Sequence, residues 1–311
     1  MRLMCVLVVL CSAIAFAQPA QAQRERWSEP AEPFRVIGNI HYVGSKGLSS
    51  YLITTPEGHI LLDTGVNEMH DVIRTNIEKL GFAVEDVKFM VSSHAHFDHI
   101  GGHAAMKRAT GAQVAALGGD AVALESGQDN SAIGAAGWEP VEVDRVVEDG
   151  DTLTLGGTTL RAVWTGGHTQ GATMWMTTVQ EGGQTYTVAF RGGEIPNDGA
   201  PLVDNPRHPT VVEDTQRTLR RLKELAPPDL FLHNHARETS SELNPDLPVN
   251  PNCASCLDAE GWMAMVASAE ARFQSMLTEQ QTTRTFSRRL AGRRRDAVRI
   301  EARPFANDVS P

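Results

Sequence analysis

Short runs of apolar and β-branched residues recur along the chain, and glycine, proline, asparagine or aspartate closes most of them. Such runs are typical of β-strands, because branched side chains pack well on a pleated surface. The pattern predicts strands at residues 35–37, 41–43, 50–54, 59–62, 87–91, 113–117, 152–155, 159–164, 173–178, 186–190 and 230–233.

Longer segments place apolar residues three and four positions apart, which is the spacing of one helix face. In the first of them Met69, Ile73 and Ile77 share such a face, and Gly81 ends the segment. The same spacing predicts helices at residues 68–80, 103–110, 120–126, 210–225 and 260–280. Residues 127–139 are rich in glycine and alanine and are expected to form a surface loop.

The order of these elements indicates the fold. Strands and helices alternate in two similar halves, which is the order expected if two sheets pack face to face with helices outside. We therefore predict an α+β fold, a four-layer αβ/βα sandwich, in one domain over residues 23–283. The basic segment 284–311 is expected to be a solvated extension, with an arm that contacts a partner or a membrane as the alternative.

Composition and the first residues limit the partners and the compartment. The formal net charge of −10 argues against general nucleic-acid binding and says little about a small-molecule substrate. Residues 1–22 combine Arg2, an apolar run and small residues at Ala20 and Ala22, which is typical of a signal peptide. A periplasmic or secreted protein is expected, with no membrane span. The sequence does not determine an oligomeric state.

Two cysteines, Cys253 and Cys256, follow the predicted signal peptide in a C-x-x-C spacing. In an oxidising compartment a small disulfide loop is the simplest interpretation. A redox site or a zinc knuckle would need a second cysteine pair or a strand-to-helix setting, and the sequence has neither.

The stretch after the predicted strand 87–91 carries the strongest chemical signal. His94, His96, Asp98 and His99 form an H-x-H-x-D-H motif that leads into two glycines. These are common metal ligands, and adjacent residues usually diverge, so two ions about 3.5–4 Å apart are expected to share them. The alternative, a polar turn with hydrogen-bonded histidines, fits a lone histidine better than this cluster.

Two bound ions need further ligands, and two later turns offer them. His168 lies in a glycine-rich turn after a strand, and His233 and His235 follow the last predicted strand. The sequence has no Ser-x-x-Lys or Gly-x-Ser-x-Gly nucleophile motif, so the metal must supply the nucleophile.

Several stretches match one family together. They are Trp27, residues 33–65, the H-x-H-x-D-H motif, residues 107–112, Gly167-His168-Thr169, Trp175, residues 203–206 and the helix containing Ala269-Glu270. On these residues the chain resembles the metallo-β-lactamases of subclass B3 over residues 27–280. The metal motif is specific to the metallo-β-lactamase-fold superfamily, and the flanking stretches indicate the subclass.

The resemblance implies a metal centre and an activity. It implies two zinc ions per chain, held by His94, His96 and His168 for the first ion and by Asp98, His99 and His235 for the second. His235 is preferred over His233, which would line the site or compete as a ligand. Asp63 would support the ligands as a buried carboxylate. The implied reaction is opening of a β-lactam ring by a metal-bound hydroxide that Asp98 orients. Iron or manganese would also suit these ligand types.

One segment departs from the family. Residues 191–197 contain no serine, where the family places serines that help to hold the substrate carboxylate. Glu194 brings a negative charge there, which Arg191 or Arg207 would have to compensate. This departure favours an alternative, a sibling hydrolase of the same fold that acts on a lactone, thioester or other ester. A catalytically silent metal-binding protein is a third possibility, disfavoured by the intact ligand set.

Overall fold

The computed structural model describes residues 22–235 and 259–301, with side chains for residues 22–235 and 261–286. The cleavable segment predicted at residues 1–22 lies outside the described residues except for its last position. Cys253, Cys256 and the end of the basic tail also lie outside them. Within the described part of the chain no helix is long and apolar enough to cross a membrane.

The first sheet contains seven strands in sequence order. They are β1 (Phe34–Ile37), β2 (Ile40–Tyr42), β3 (Tyr51–Thr55), β4 (Gly58–Leu62), β5 (Val87–Val91), β6 (Gln113–Leu117) and β7 (Arg145–Val147). Strands β1 to β4 pair antiparallel, and β4 to β7 pair parallel. The crossovers carry α2 (His70–Lys79), α3 (Phe97–Ile100), α4 (His103–Thr110) and α5 (Gly118–Ser126), and residues 22–27 form the preceding helix α1.

The second sheet contains five strands in the order β12-β11-β10-β9-β8. They are β8 (Thr152–Leu155), β9 (Thr158–Trp164), β10 (Thr173–Glu181), β11 (Gln184–Phe190) and β12 (Leu230–Leu232). Only β11 and β12 pair parallel, because α6 (Val211–Glu224) crosses between them. Helix α7 (Ala259–Glu301) follows in the last described segment.

Burial confirms the four-layer sandwich. Tyr51 of the first sheet and Trp175 and Phe190 of the second are fully buried in one cluster between the two sheets. A second cluster packs α2 and α4 on the outer face of the first sheet, and a third packs Trp262 of α7 on the second sheet. Full burial of such a side chain contributes about 1.5–3 kcal/mol, so the central cluster holds the sheets in one alignment.

The structure differs from the sequence prediction at β7, at the end of α7 and in the loop 127–139, and it also contains the short helices α1 and α3, which were not predicted. Strand β7 was not predicted, because it has three residues and two of them are exposed. Helix α7 continues to Glu301 and so passes its predicted end at residue 280. Residues 127–139 form a loop as predicted, but Ser131 and Ala132 are buried, so the loop does not lie wholly on the surface.

Candidate metal centre

The H-x-H-x-D-H motif occupies the turn at the carboxyl end of β5. His96 has an extended backbone, and the single helical turn α3 begins immediately after it. This change of conformation separates the motif: His94 and His96 precede the turn, whereas Asp98 and His99 lie inside it. All four side chains are buried. The conformational change therefore divides four neighbouring ligands into two pairs.

Distant parts of the chain complete two groups of ligand atoms. His94, His96 and His168 form one group, and Asp98, His99 and His235 form the other. Within each group the ligand atoms lie within 4.8 Å of one another. His168 comes from the turn after β9, and His235 follows β12. The structure thus brings together all six side chains that the resemblance implied, in the two groups that it implied.

The three-histidine group fits a zinc ion. His94 Nε2 and His168 Nε2 lie 3.2 Å apart. Tetrahedral zinc with Zn–N bonds of 2.0–2.1 Å would place two ligand nitrogens about 3.3 Å apart. The other ring nitrogen of His168, Nδ1, faces away from this group and donates a hydrogen bond to the carbonyl oxygen of Ile195 at 2.7 Å. In His96 the ring nitrogen Nε2 lies 3.1 Å from Ser131 Oγ, which leaves Nδ1 for the metal. Because a carbonyl oxygen only accepts, the Ile195 contact selects the His168 tautomer with a lone pair on Nε2, whereas the Ser131 hydroxyl, which can donate or accept, orients the His96 ring.

The second group combines a carboxylate with two imidazoles. Asp98 Oδ2 lies 3.4 Å from His99 Nε2 and 3.7 Å from His235 Nε2. On its other side, His99 Nδ1 lies 3.5 Å from Asp63 Oδ2. An anionic oxygen beside two ring nitrogens is a donor set suited to zinc, and the carboxylate also lowers the net charge of the site.

Electrostatics differ between the two groups. Burial lowers the pKa of His94 well below its ordinary value and lowers that of His96 to about 3, so both rings are neutral, as metal ligands must be. Burial also lowers the pKa of His99, but Asp98 and Asp63 outweigh it and raise the value to about 10. Burial raises the pKa of Asp98, and the neighbouring histidines, led by His99, bring it well below its usual range. With Asp98 ionised and His99 protonated, the second group carries no net charge, so a metal ion would bind there by displacing the proton of His99.

Asp63 holds the residue that precedes the motif by hydrogen bonds. Its carboxylate accepts hydrogen bonds from the backbone N–H and the hydroxyl of Ser93, at 2.7 and 2.6 Å. Its own backbone has a φ of 58°, in the left-handed region that costs a non-glycine residue about 1 kcal/mol or more. The strained backbone is retained where the carboxylate contacts both Ser93 and His99.

A cavity of about 450 Å³ opens beside the ligands, and His94, His168 and His235 contribute to its lining. His233 also lines this cavity and belongs to neither ligand group among the described residues. Of the two roles considered for His233, lining and ligation, the geometry therefore favours lining.

Arg191 and Glu194 line the same cavity and form a bidentate ion pair with each other. Arg191 Nε and Nη2 donate to the two Glu194 oxygens at 2.6 and 2.7 Å. Burial raises the pKa of Glu194, but Arg191 outweighs it, and the net shift is downward. The charge of Glu194 is thus compensated by Arg191, and Arg207 does not line the cavity. The repulsion of an anionic substrate that the sequence suggested is correspondingly reduced.

Three further polar residues at this site, Asp120, Asp129 and Ser131, were not predicted from the sequence. Asp120 accepts hydrogen bonds from the segments on both sides of the first ligand group. Asp129 accepts from the backbone of Ser131 at 2.7 Å, and Ser131 contacts His96. The polar run Gln128-Asp129-Asn130-Ser131 was the available signal, but it stands in a glycine- and alanine-rich segment.

The remaining histidines lie outside the two groups. His41 and His59 both pack edge-on against Phe82. His70 Nδ1 contacts the carbonyl oxygen of Asn67, and His208 pairs with Asp214.

His103 is fully buried, and its Nδ1 lies 2.7 Å from Thr64 Oγ1. Burial lowers its pKa to about 4, whereas the unfolded chain has the ordinary value near 6.5. The unfolded state therefore binds more protons, so stability present above pH 6.5 is lost as the pH falls towards 4.

The wild type should lose up to about 3 kcal/mol of its free energy of unfolding through the protonation of His103. We expect His103→Asn not to show this contribution, because asparagine does not titrate. Urea unfolding of both proteins between pH 7.5 and 4.5 should show the stability advantage of the wild type shrinking at the acidic end. A constant difference across this range would contradict the assignment.

Known proteins resemble this chain in sequence and structure. The family model for the Metallo-beta-lactamase superfamily matches residues 46–235. A solved metallo-beta-lactamase with a HARLDQ motif from Cronobacter sakazakii is 35% identical, with a TM-score of 0.75, over 83% of this chain and 99% of that one. BJP-1, a subclass B3 metallo-beta-lactamase of Bradyrhizobium japonicum, is 33% identical, with a TM-score of 0.74, over 83% of this chain and 98% of that one.

Curated relatives match over a shorter region. An N-acyl homoserine lactonase from Bacillus cereus is 35% identical over 78 residues, which cover 18% of this chain and 31% of the lactonase. The chain thus spans less than a third of that relative's length, whereas it covers nearly all of the solved metallo-beta-lactamases.

Proposed function

The chain belongs to the metallo-beta-lactamase superfamily, and we propose that it is a zinc-dependent hydrolase that opens the β-lactam ring. One observation carries the proposal: the His94–His96–His168 and Asp98–His99–His235 groups adjoin each other beside a cavity. The ring centroids of His94 and His99, one from each group, lie 4.2 Å apart. This spacing suits two neighbouring ions acting on one small molecule.

We propose two zinc ions per chain, each held by one group. When bound, zinc lowers the pKa of water and withdraws electrons from a carbonyl oxygen. The protein contributes fixed positions: the contacts of Ile195 with His168 and of Ser131 with His96 hold their rings in orientation. Asp98 stays ionised because its pKa is depressed, so its carboxylate can hold the second ion and accept a hydrogen bond from an attacking water.

The cavity supports a small-molecule substrate. Its volume of about 450 Å³ falls in the range of ligand pockets, which is about 300–1,000 Å³. Ile133, Ile195 and Pro196 supply apolar lining, and Arg191 with Glu194 supplies a polar wall. The apolar residues offer contacts to the non-polar part of a substrate, and the polar wall offers groups that can orient it.

We also propose that the protein is exported to the periplasm or secreted. The signal-like composition of residues 1–22 supports this proposal. Processing is tested by sequencing the amino terminus of protein recovered from the periplasm. A first residue at Gln23 would agree with it, and a retained Met1 in cytosolic protein would contradict it.

The activity is tested with the purified protein and five substrate classes: a penicillin, a cephalosporin, a carbapenem, a homoserine lactone and a glutathione thioester. β-Lactam turnover that a chelator abolishes and added zinc restores is the expected result. Turnover of the lactone or the thioester alone would support the sibling hydrolase. Two observations favour that alternative: the match to the lactonase and the absence of serine from residues 191–197. Two zinc ions bound without any turnover would contradict both.

A further inference from the structure

We propose that Asp120 is a positioning residue for the three-histidine group. Its buried carboxylate joins the two chain segments that carry His94, His96 and His168. The inference rests on the proposed metal centre, but it concerns how that centre is held and not which substrate is cleaved.

Asp120 lies in the first turn of α5, where it is 1% exposed. Its Oδ2 accepts the backbone N–H of Ala95 at 2.7 Å and the hydroxyl of Thr169 at 2.8 Å. Its Oδ1 accepts the backbone N–H of Gly171 at 2.7 Å. Three donors from two separate segments therefore converge on one side chain.

The donors lie directly beside the ligands in sequence. Ala95 stands between His94 and His96, and Thr169 follows His168. A displacement at Asp120 would therefore change the position of one segment relative to the other, and with it the 3.2 Å separation of His94 Nε2 and His168 Nε2. Metal ligands need placement within about 0.5 Å, so this relative position determines how well the three nitrogens fit one ion.

Close backbone packing allows Asp120 to reach both segments. A Cβ at Gly171 would lie 2.4 Å from the backbone nitrogen of Asp120, and a Cβ at Gly119 would lie 2.7 Å from Cβ of Gln170. Both distances are shorter than real Cβ contacts, so the absence of side chains lets the start of α5 touch the turn after His168.

The chemistry requires a carboxylate at this position. Both oxygens accept, and an amide would turn its NH₂ group towards at least one N–H or O–H donor. A buried donor left unsatisfied costs about 1–3 kcal/mol. The first turn of α5 also favours a negative charge, because unpaired N–H groups concentrate at a helix amino end.

The test compares Asp120→Asn with Asp144→Asn. Asp144 accepts two similar hydrogen bonds near the start of β6, from Val114 N and Lys107 Nζ, both at 2.7 Å, and neither donor is a sequence neighbour of a candidate ligand. Zinc affinity is measured by competition with a chelating dye, the absorption spectrum of the cobalt(II)-loaded protein reports ligand geometry, and urea unfolding of the metal-free proteins reports stability.

We expect Asp120→Asn to weaken zinc binding at the three-histidine group about 10–100-fold and to alter the cobalt spectrum. Asp144→Asn should lose stability with unchanged zinc affinity and an unchanged spectrum. Wild-type affinity and spectrum in Asp120→Asn would overturn the proposal. Equal weakening of zinc binding in both variants would also overturn it, because it would show a general effect of stability.

A milder pair covers the case in which Asp120→Asn does not fold. Thr169→Val removes one hydrogen bond to Asp120, whereas Thr169→Ser retains the hydroxyl. We expect Thr169→Val to weaken zinc binding several-fold and Thr169→Ser to restore it. Equal affinities in these two variants would contradict the proposal. The deciding readouts are zinc affinity and the cobalt spectrum, and none is turnover, so a failure here is distinct from a failure to cleave β-lactams.

Discussion

Replacement of Asp98 with alanine is expected to reduce kcat by at least about 100-fold while one zinc ion stays bound per chain. Asp98 is the only carboxylate in the Asp98–His99–His235 group, so its loss leaves two imidazoles to hold the second ion. The three-histidine group contains no atom of Asp98 and should retain its ion. Steady-state kinetics with zinc content by elemental analysis measures both effects.

Asp98→Asn is the matched comparison, because it keeps the shape of the side chain and removes its charge. We expect it to lose activity to a similar degree and to bind the second ion weakly. Undiminished turnover in a variant that carries one zinc ion per chain would show that Asp98 and the second ion are not needed for the reaction.

Replacement of Gly193 with alanine is expected to displace His168 and to weaken the first metal site. A Cβ at Gly193 would lie 2.7 Å from Cγ of the His168 ring, and the backbone φ there is 90°. His168 cannot retreat freely, because its Nδ1 contacts the carbonyl oxygen of Ile195. We expect at least a tenfold loss of zinc affinity and a corresponding fall in kcat/KM, measured by dye competition and steady-state kinetics.

Gly183→Ala separates the steric effect from backbone strain. Gly183 has a similar φ of 80°, and its Cβ would meet no atom within 4 Å. Both alanine variants should lose about 1 kcal/mol or more of stability from the unfavourable backbone conformation. Only Gly193→Ala should change zinc affinity. If both variants lose affinity equally, the Gly193–His168 contact does not hold the ligand in place.

The sequence by itself determined the elements and the architecture of the fold. The order of strands and helices predicted the αβ/βα sandwich, which the structure confirms, because periodic burial of apolar residues is a local property of the chain. Four candidate ligands were also recognisable, since His94, His96, Asp98 and His99 occur in one motif. His168 and His235 were less distinctive, and only the family resemblance indicated their partners.

The tertiary structure decided which distant residues meet. Asp120 lies 25 positions from Ala95 and 51 from Gly171, yet it joins both. The pairing of Arg191 with Glu194 spans only three positions, but its geometry depends on how the turn packs against the cavity. Sequence periodicity reports which face of an element is buried. It does not report which side chains of other elements lie against that face, because packing of the sheets and the turns between them sets those distances.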